Sequence, residues 1–328
     1  MNLLPGERVV VIGLGVSGSA AARVLLEGGA AVRISEQREW KDVPAVEALT
    51  GLDVEILGGG HRVEHLDGAT LVVTSPGVPQ DAPILRAALD RGLPVWSELE
   101  LGARLCRVPY VGITGTNGKT TTTEMVAAAM AADGLDAIAC GNVGHPFSLA
   151  AREKHDALAV EASSFQLRFS ESFHPRVSVL LNLAEDHLDW HGSFDAYAEV
   201  KTRVFALQTA EETHVGNRDD PAAAELSAKA SARRVWTTLS EPQQGEVGYA
   251  GGHLISRLEG FEEIALEAPA EGGRGRRADA AASAAAGLSF GLSPRAVAEG
   301  IAAAGRLPHR GEVVARAGSI RFVDDSKA

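Results

Sequence analysis

Apolar and polar positions along this chain fall into two alternating periods. Short β-branched or apolar runs at residues 8–12, 31–34, 69–74, 93–96, 110–113, 157–160 and 177–183 predict strands. Apolar positions at helical spacing predict helices from the turn at Gly18 to Gly28, and over 84–91, 98–105, 125–132, 194–207, 278–288 and 293–301. Strand followed by helix, repeated, is the pattern of parallel sheets with crossover helices, an α/β fold. Between residues 211 and 271 the segments shorten, as in V-W-T-T-L and G-H-L-I-S-R-L, and predict antiparallel strands near a sheet edge. No internal repeat interrupts this reading.

Two glycine-rich loops sit between a predicted strand and a predicted helix. The first, G-L-G-V-S-G at residues 13–18, has the G-x-G-x-x-G spacing of a pyrophosphate turn, and Glu36 follows at the end of the next strand, where an acid can reach a ribose or base. NAD(P), FAD and UDP-sugars all satisfy those residues. The second is T-G-T-N-G-K-T within V-G-I-T-G-T-N-G-K-T-T-T-T-E. Gly115 and Gly118 let amides close around phosphate, Lys119 offers a flexible cation to the terminal phosphate, and Thr120 can place a hydroxyl on Mg²⁺. Ile113 stands where the longer G-x-x-x-x-G-K-[ST] loop has its first glycine, so this is a shorter relative of that loop.

Later strand ends carry acids and histidines. Glu161 closes the 157–160 strand, where nucleotide sites put a Mg²⁺ ligand or a water-orienting base, and N-L-A-E-D-H-L-D-W-H follows the 177–183 strand. His187 and His191 have the i, i+4 spacing of a zinc pair but lack the glutamate of H-E-x-x-H, which favours one Mg²⁺ ligand among them. Lys201, among apolar positions of its helix, reads from periodicity alone as a snorkelling surface lysine. The G-G-G-H run at 58–61 reads as a surface turn with His61 and His65 exposed.

Composition narrows the class. The 328 residues are 45% apolar, enough for two domains with cores, and the net charge of −12 leaves no broad basic field for nucleic acid. Cys106 and Cys140 are too few for a disulfide framework and read as buried, reduced thiols. Neither a secretory leader nor a membrane-length apolar run is present, so a soluble cytoplasmic protein without a membrane partner is expected.

Together, T-G-T-N-G-K-T-T, the strand-end Glu161, N-L-A-E-D-H-L-D and the final D-D-S-K resemble the Mur ligases, the ATP-dependent amide ligases of peptidoglycan precursor synthesis. G-L-G-V-S-G, S-P-G-V, E-A-S-S-F-Q-L and L-P-H-R are similar to the D-glutamate-adding branch. Sister ligases that add L-alanine or a diamino acid, and folylpolyglutamate synthetases, share the phosphate loop and remain an alternative, disfavoured by S-S-F-Q-L and L-P-H-R. The resemblance runs the length of the chain. It implies an N-terminal Rossmann-like UDP-binding domain (1–107), a P-loop ATPase-like α/β domain with a mostly parallel central sheet (108–305), and a linker (306–328) opening into a third domain. It also implies ATP, UDP-N-acetylmuramoyl-L-alanine and D-glutamate as partners, two Mg²⁺ ions, a monomer, and a place in cell-wall biogenesis with its links to cell shape and division.

By the same resemblance, Gly15, Val16, Ser17, Glu36, Gln37, Arg38, Ser75, Pro76 and Gly77 meet uridine and diphosphate, and Asn142 faces the substrate. Gly115, Thr116, Asn117, Gly118, Lys119, Thr120 and Thr121 bind ATP, with Lys119, His187 and Lys201 as the catalytic set. Thr120 and Glu161 hold one Mg²⁺, and His187 with Lys201 supports the other. A lysine cation beside Mg²⁺ is repulsive, and the resemblance implies instead a carbamylated Lys201, in which added CO₂ makes the amine an anionic ligand group. Arg310, Asp325 and Lys327 are expected at the ATP phosphate, the ribose and the reacting centre. The chain departs from the family pattern twice. G-R-G-R-R-A-D replaces G-x-H-N-x-x-N, so Asp279 stands for an adenine-side asparagine and the histidine is missing. The sequence also stops where similar enzymes continue, from which a fragment that binds substrate and turns over poorly is expected. The competing readings are a non-catalytic binder of the same ligands and an NAD-dependent oxidoreductase, which leaves the second phosphate loop unexplained.

Overall fold

In the computed structural model, residues 5–39, 41, 43–266, 273–303, 312–318 and 320–324 are described. The first strand, β1 (Arg8–Ile12), is buried from Val9 onward, so it needs cover on both faces and a strand on each side. It has both. After α1 (Val16–Glu27) come β2 (Ala31–Ser35), β3 (Glu55–Leu57), β4 (Leu71–Thr74), α2 (Pro83–Asp90), β5 (Val95–Ser97) and α3 (Glu98–Leu105). The five strands form one parallel sheet in the order β3-β2-β1-β4-β5. The order reverses beside β1, and a crevice for ligand opens at the strand C-terminal ends there.

A second sheet begins with β6 (Tyr110–Thr114), α4 (Lys119–Ala132), β7 (Ala137–Gly141), α5 (Phe147–Ala150), β8 (Ala157–Glu161), α6 (Ser164–Arg168) and β9 (Val177–Leu180). It continues through α7 (Leu188–His191), α8 (Phe194–Lys201), β10 (Thr213–Asn217), α9 (Pro221–Ser227), β11 (Arg233–Thr237), β12 (Glu246–Ala250), β13 (His253–Leu258) and β14 (Phe261–Leu266). The nine strands run in the order β14-β13-β12-β11-β10-β9-β6-β8-β7. β6, β8 and β9 are buried along their whole lengths, so the phosphate loop after β6 rises from the middle of the sheet. Alanine-rich α10 (Arg274–Phe290) packs against the sheet with α4 and α11 (Pro294–Ala303), its small side chains letting it lie close. A hairpin of β15 (Glu312–Ala317) and β16 (Ile320–Asp324) follows.

Several sequence expectations need adjusting. β10 and β11 pair in parallel, as do β11 and β12, and only β12, β13 and β14 are antiparallel. The segment between β10 and β11, with the helix α9, supplies the crossover that parallel neighbours need. α4 starts at Lys119, earlier than its apolar run. β9 stops at Leu180 because the next residues bend toward the phosphate loop, with Thr116 N–H donating to Asn182 O at 3.0 Å. The 194–207 segment is α-helical only to Lys201 and tightens into a 3₁₀ turn over Thr202–Val204. Cys140 is buried, but Cys106 is only half-buried; both are free thiols.

The two sheets are joined by polar contacts. Glu98 Oε1 accepts from Ser148 N–H at 2.6 Å, the Ser97 and Ser170 hydroxyls lie 3.0 Å apart, and Gln80 Nε2 donates to Trp190 O at 2.6 Å. No helix among the described residues is long and apolar enough to cross a membrane.

Candidate active site

At the β1 crevice lies a cavity of about 410 Å³, lined by residues 13–17, 36–38 and 75–78, with His61 and Asn142. α1 begins there with no side-chain cap, so its first amides are left for an anion. The close start depends on Gly18, because a Cβ there would sit 2.0 Å from Gly13 O. Ser75 Oγ donates to Gly13 O at 2.8 Å and fixes the opposite wall. All nine uridine- and diphosphate-side residues expected from sequence therefore line one cavity.

Glu36 occupies its expected place but turns its carboxylate inward. Oε2 accepts from Leu14 N–H at 2.7 Å, and Oε1 accepts from Arg38 N–H at 3.1 Å and Arg38 Nε at 2.9 Å. Burial pushes this carboxyl up, but the bonds from Arg38 and Leu14 outweigh it and hold the group below its ordinary value. The expectation of exposed His61 and His65 is overturned. His65 is buried, His61 is half-buried on the cavity wall, and their Nδ1 atoms lie 2.8 and 2.9 Å from the Ser35 hydroxyl. β3, only three residues long and half-buried, carries the chain into this turn, which is why the alternation gave it no signal.

The second loop is fastened to the strand end beside it. Asn117 N–H donates to Asn182 Oδ1 at 2.8 Å, Asn182 Nδ2 returns a bond to Asn117 O at 3.0 Å, and Thr116 Oγ1 lies 2.9 Å from the Tyr197 hydroxyl. Gly118, at φ +83°, caps α4 in a left-handed conformation that favours glycine. Thr120 and Thr121 stand half-buried in the first turn of α4. Lys119 Nζ folds back onto Gly115 O at 3.1 Å and Thr116 O at 2.8 Å.

Lys201 is not a surface lysine. It is 1% exposed, donates to Gly115 O at 2.8 Å and lies 4.6 Å from the centre of the Tyr197 ring. Burial, then the Lys119 charge, pushes its ammonium well below the ordinary lysine value, against weaker opposition from Asp186 and Glu161.

Glu161 is buried at the end of β8, and its Oε1 accepts from Asn142 Nδ2 at 2.9 Å. Asn142 also lines the first cavity. That amide is the point where the two candidate ligand sites touch. His187 is exposed at φ +51°, the one non-glycine residue with positive φ among those described, and its Nε2 lies 3.4 Å from Asp186 Oδ2. Such strain is stored where the surroundings over-determine it. His191 is instead buried, with Nε2 3.0 Å from Ser164 Oγ, and burial followed by the Lys201 charge lowers it to about 4. The two histidines therefore do not converge as a zinc pair. Among the described residues no group of three or more His, Cys, Asp or Glu could hold a metal unaided.

Gln166 of S-S-F-Q-L closes a capping box on α6 with Ser163, so this part of the motif is structural, while Ser164 holds His191. Sequence reasoning missed a further region. Two adjoining cavities of about 280 and 580 Å³ share Asp219, Leu239 and Arg274, and the first also reaches Asn182, Asn217 and Thr238. Beside them the Arg277 guanidinium lies 4.1 Å over the Tyr249 ring. Asn217, at the C-terminal end of β10, was the available signal, since strand ends on this side face ligand. Asp279 is absent from these linings; its Oδ1 lies 2.1 Å from where a Cβ on Gly118 would be, against the phosphate loop. Arg310, Asp325 and Lys327 lie outside the described residues.

Comparison with known proteins places these sites in a family. Residues 7–97 match the MurD-like N-terminal domain of Mur ligases, and residues 113–260 match the Mur ligase middle domain. The UDP-N-acetylmuramoylalanine–D-glutamate ligase of Rhodococcus jostii is 39% identical over 344 aligned positions, covering 100% of this chain and 67% of the relative. The enzyme of the same name from Mycolicibacterium vanbaalenii is 41% identical, covering 99% of this chain and 68% of the relative. Among solved structures, the UDP-N-acetylmuramate:L-alanyl-gamma-D-glutamyl-meso-diaminopimelate ligase of Neisseria meningitides shares the fold with a TM-score of 0.64 at 20% identity, over 90% of this chain and 98% of that one. This chain thus spans about two thirds of the curated relatives' length. With a family domain on each half and curated relatives along its whole length, the chain belongs to the Mur ligase family, on the branch of the UDP-N-acetylmuramoylalanine–D-glutamate ligases.

Proposed function

We propose that this chain carries out the ATP-dependent attachment of D-glutamate to UDP-N-acetylmuramoyl-L-alanine, the activity for which its relatives are named. The observation that carries the reading is the single hydrogen bond by which Asn142, on the wall of the first cavity, holds Glu161 beside the phosphate loop. A substrate bound by its UDP end in that cavity has its far carboxylate directed at the ATP site. We assign UDP binding to residues 1–107, ATP binding to 108–305 and a linker to 306–328, in a cytoplasmic monomer.

The chemistry demands this adjacency. A carboxylate resists attack by an amine, so the γ-phosphoryl of ATP is first transferred to the alanine carboxylate oxygen, giving an acyl phosphate and ADP. The D-glutamate amine then attacks the acyl carbon, the carbon–oxygen bond to phosphate breaks, and phosphate departs with the electron pair while the nitrogen loses its proton. Both steps crowd anions. Lys119 turns from the Gly115 and Thr116 carbonyls to the terminal phosphate, and the α4 amides face the phosphates ahead of it.

The residues suit Mg²⁺. Glu161 is buried, its Oε2 accepts no hydrogen bond among the described residues, and the Thr120 hydroxyl stands in the first turn of α4. One carboxylate and one hydroxyl make a fitting partial shell for an ion completed by phosphate and water. Bound there, Mg²⁺ would neutralise the phosphate charge that builds up during transfer. A second ion requires Lys201 to be an anion beside His187. Burial, then the Lys119 charge, shifts Lys201 toward its neutral amine, the form that adds CO₂ to become a carbamate.

Phosphate release measured with ATP, UDP-N-acetylmuramoyl-L-alanine and D-glutamate tests the activity. Release that requires all three is expected. Turnover indifferent to D-glutamate, or satisfied by L-alanine or a diamino acid in its place, would overturn the assignment.

A further inference from the structure

We propose that His61 is a ligand-binding residue of the N-terminal cavity, its Nε2 hydrogen-bonding the nucleoside half of the bound UDP moiety. This rests on reading that cavity as the UDP site. In such a crevice the diphosphate lies over the glycine turn and the start of α1, which puts the nucleoside toward the end of β2. The acid at that end, Glu36, is 4% exposed, and both its oxygens already accept bonds from Leu14 and Arg38. Three of its four lone-pair positions are taken in bracing the wall, so a neighbour on the same wall has room for a second polar contact.

His61 stands on the same wall. The turn that carries it is pinned to the Glu36 segment, with Gly59 N–H donating to Arg38 O at 3.0 Å and Gly60 N–H to Glu36 O at 3.2 Å. Its Nδ1 is tied to the Ser35 hydroxyl, and its Nε2 has no hydrogen-bond partner among the described residues. The ring is held in place by one nitrogen, and the other remains for a ligand.

The Ser35 hydroxyl has one proton for two imidazoles, His61 at 2.9 Å and His65 at 2.8 Å. It donates to one ring and accepts from the other, so two neutral rings take opposite tautomers. Burial pushes both histidines below the ordinary value, and both are neutral near pH 7. The buried His65 thereby helps fix whether His61 Nε2 presents a proton or a lone pair. A uracil imide edge or a ribose hydroxyl can meet either one.

Calorimetric titration of the whole chain with UDP and with inorganic pyrophosphate tests this, alongside melting temperatures to verify folding. His61→Ala is expected to weaken UDP about tenfold while leaving pyrophosphate unchanged, the loss of one hydrogen bond to the ligand. Ser35→Ala, which frees the ring without removing it, is expected to give a smaller loss of UDP alone. Loss of the UDP-over-CDP preference in His61→Ala would assign the contact to the base, and loss of the preference over 2′-deoxy-UDP would assign it to the ribose. Unchanged UDP affinity in a folded His61→Ala variant overturns the proposal, as does an equal fall for UDP and pyrophosphate. Failure of the unaltered chain to bind UDP would instead remove the UDP reading of the cavity, and this proposal with it.

Discussion

Lys119 and Lys201 donate to the same carbonyl oxygen, Gly115 O, at 3.1 and 2.8 Å. Burial first, and then repulsion between two ammonium groups so placed, drives Lys201 well below the ordinary lysine value. Between that lowered value and the ordinary lysine range, the unfolded chain holds one more proton at this residue than the folded chain. Folding stability therefore rises with pH across that window, and the buried lysine costs stability below it. Lys201→Met is expected to raise the melting temperature near neutral pH in bicarbonate-free buffer, by about 1–4 kcal/mol of stability, with the gain shrinking as pH approaches 10. The same variant should lose ligase activity by about 100-fold or more. Lys201→Ala should regain part of its activity in formate or acetate, whose carboxylate replaces the missing carbamate. Full activity of either variant without additive would rule out the carbamate role.

The bond from Asn142 to Glu161 makes a second, separable expectation. Glu161→Gln keeps the volume but removes the charge that suits Mg²⁺, and should lower turnover by about 100-fold or more. Asn142→Ala removes the brace on Glu161 together with a side chain of the first cavity's wall, so a loss of about 10- to 100-fold is expected. The double variant should be little worse than Glu161→Gln alone, because the brace has nothing left to orient. Additive losses in a full kinetic cycle would show the two residues acting independently.

The phosphate loop and the first glycine turn were legible because their chemistry is local. Glycine spacing, one lysine and a strand before a helix are all that such a loop requires, and Gly118 at φ +83° meets that demand. Glu161 was legible for a similar reason, lying at the end of a fully buried strand. Lys201 was not. Its helix pattern says only that its neighbours are apolar, while the carbonyl that receives it belongs to a loop far earlier in the chain. His61 and His65 were misread in the same way, since the hydroxyl they share, Ser35, belongs to a different strand. Strand direction after residue 211 failed because α9 is short and its pattern faint, yet it lies in the crossover that the parallel pair β10 and β11 needs.

Glu98 joins the two sheets through Ser148 N–H, and burial raises its carboxyl above the ordinary value. A raised carboxyl holds its proton in the folded chain at pH values where the unfolded chain has lost it. Stability is then greatest below the unfolded value near 4.5 and falls as pH rises toward the raised one, by at most about 1.4 kcal/mol per pH unit. Glu98→Gln keeps an oxygen for Ser148 N–H and carries no proton to lose. Its melting temperature should exceed that of the unaltered chain by a margin that grows from pH 5 to pH 8. A margin independent of pH would mean that Glu98 does not titrate in that range.

Asp279 sets a carboxylate against Gly118, the residue that opens α4. The N-terminus of a helix attracts anions, and a fixed carboxylate there competes with the phosphates of a nucleotide for the same partial positive charge. Asp279→Asn keeps the shape and removes the charge, so it should tighten ATP binding by about 2- to 5-fold, the range of a single charge at a helix end. The gain should shrink with added salt, as screening shortens the reach of the carboxylate. Asp279→Ala should tighten binding to a similar degree if charge is the cause. If the alanine variant binds more weakly than the unaltered chain while the asparagine variant binds as before, Asp279 supports the loop by packing and the repulsion account fails. UDP affinity, measured on the same samples, should not move in either variant.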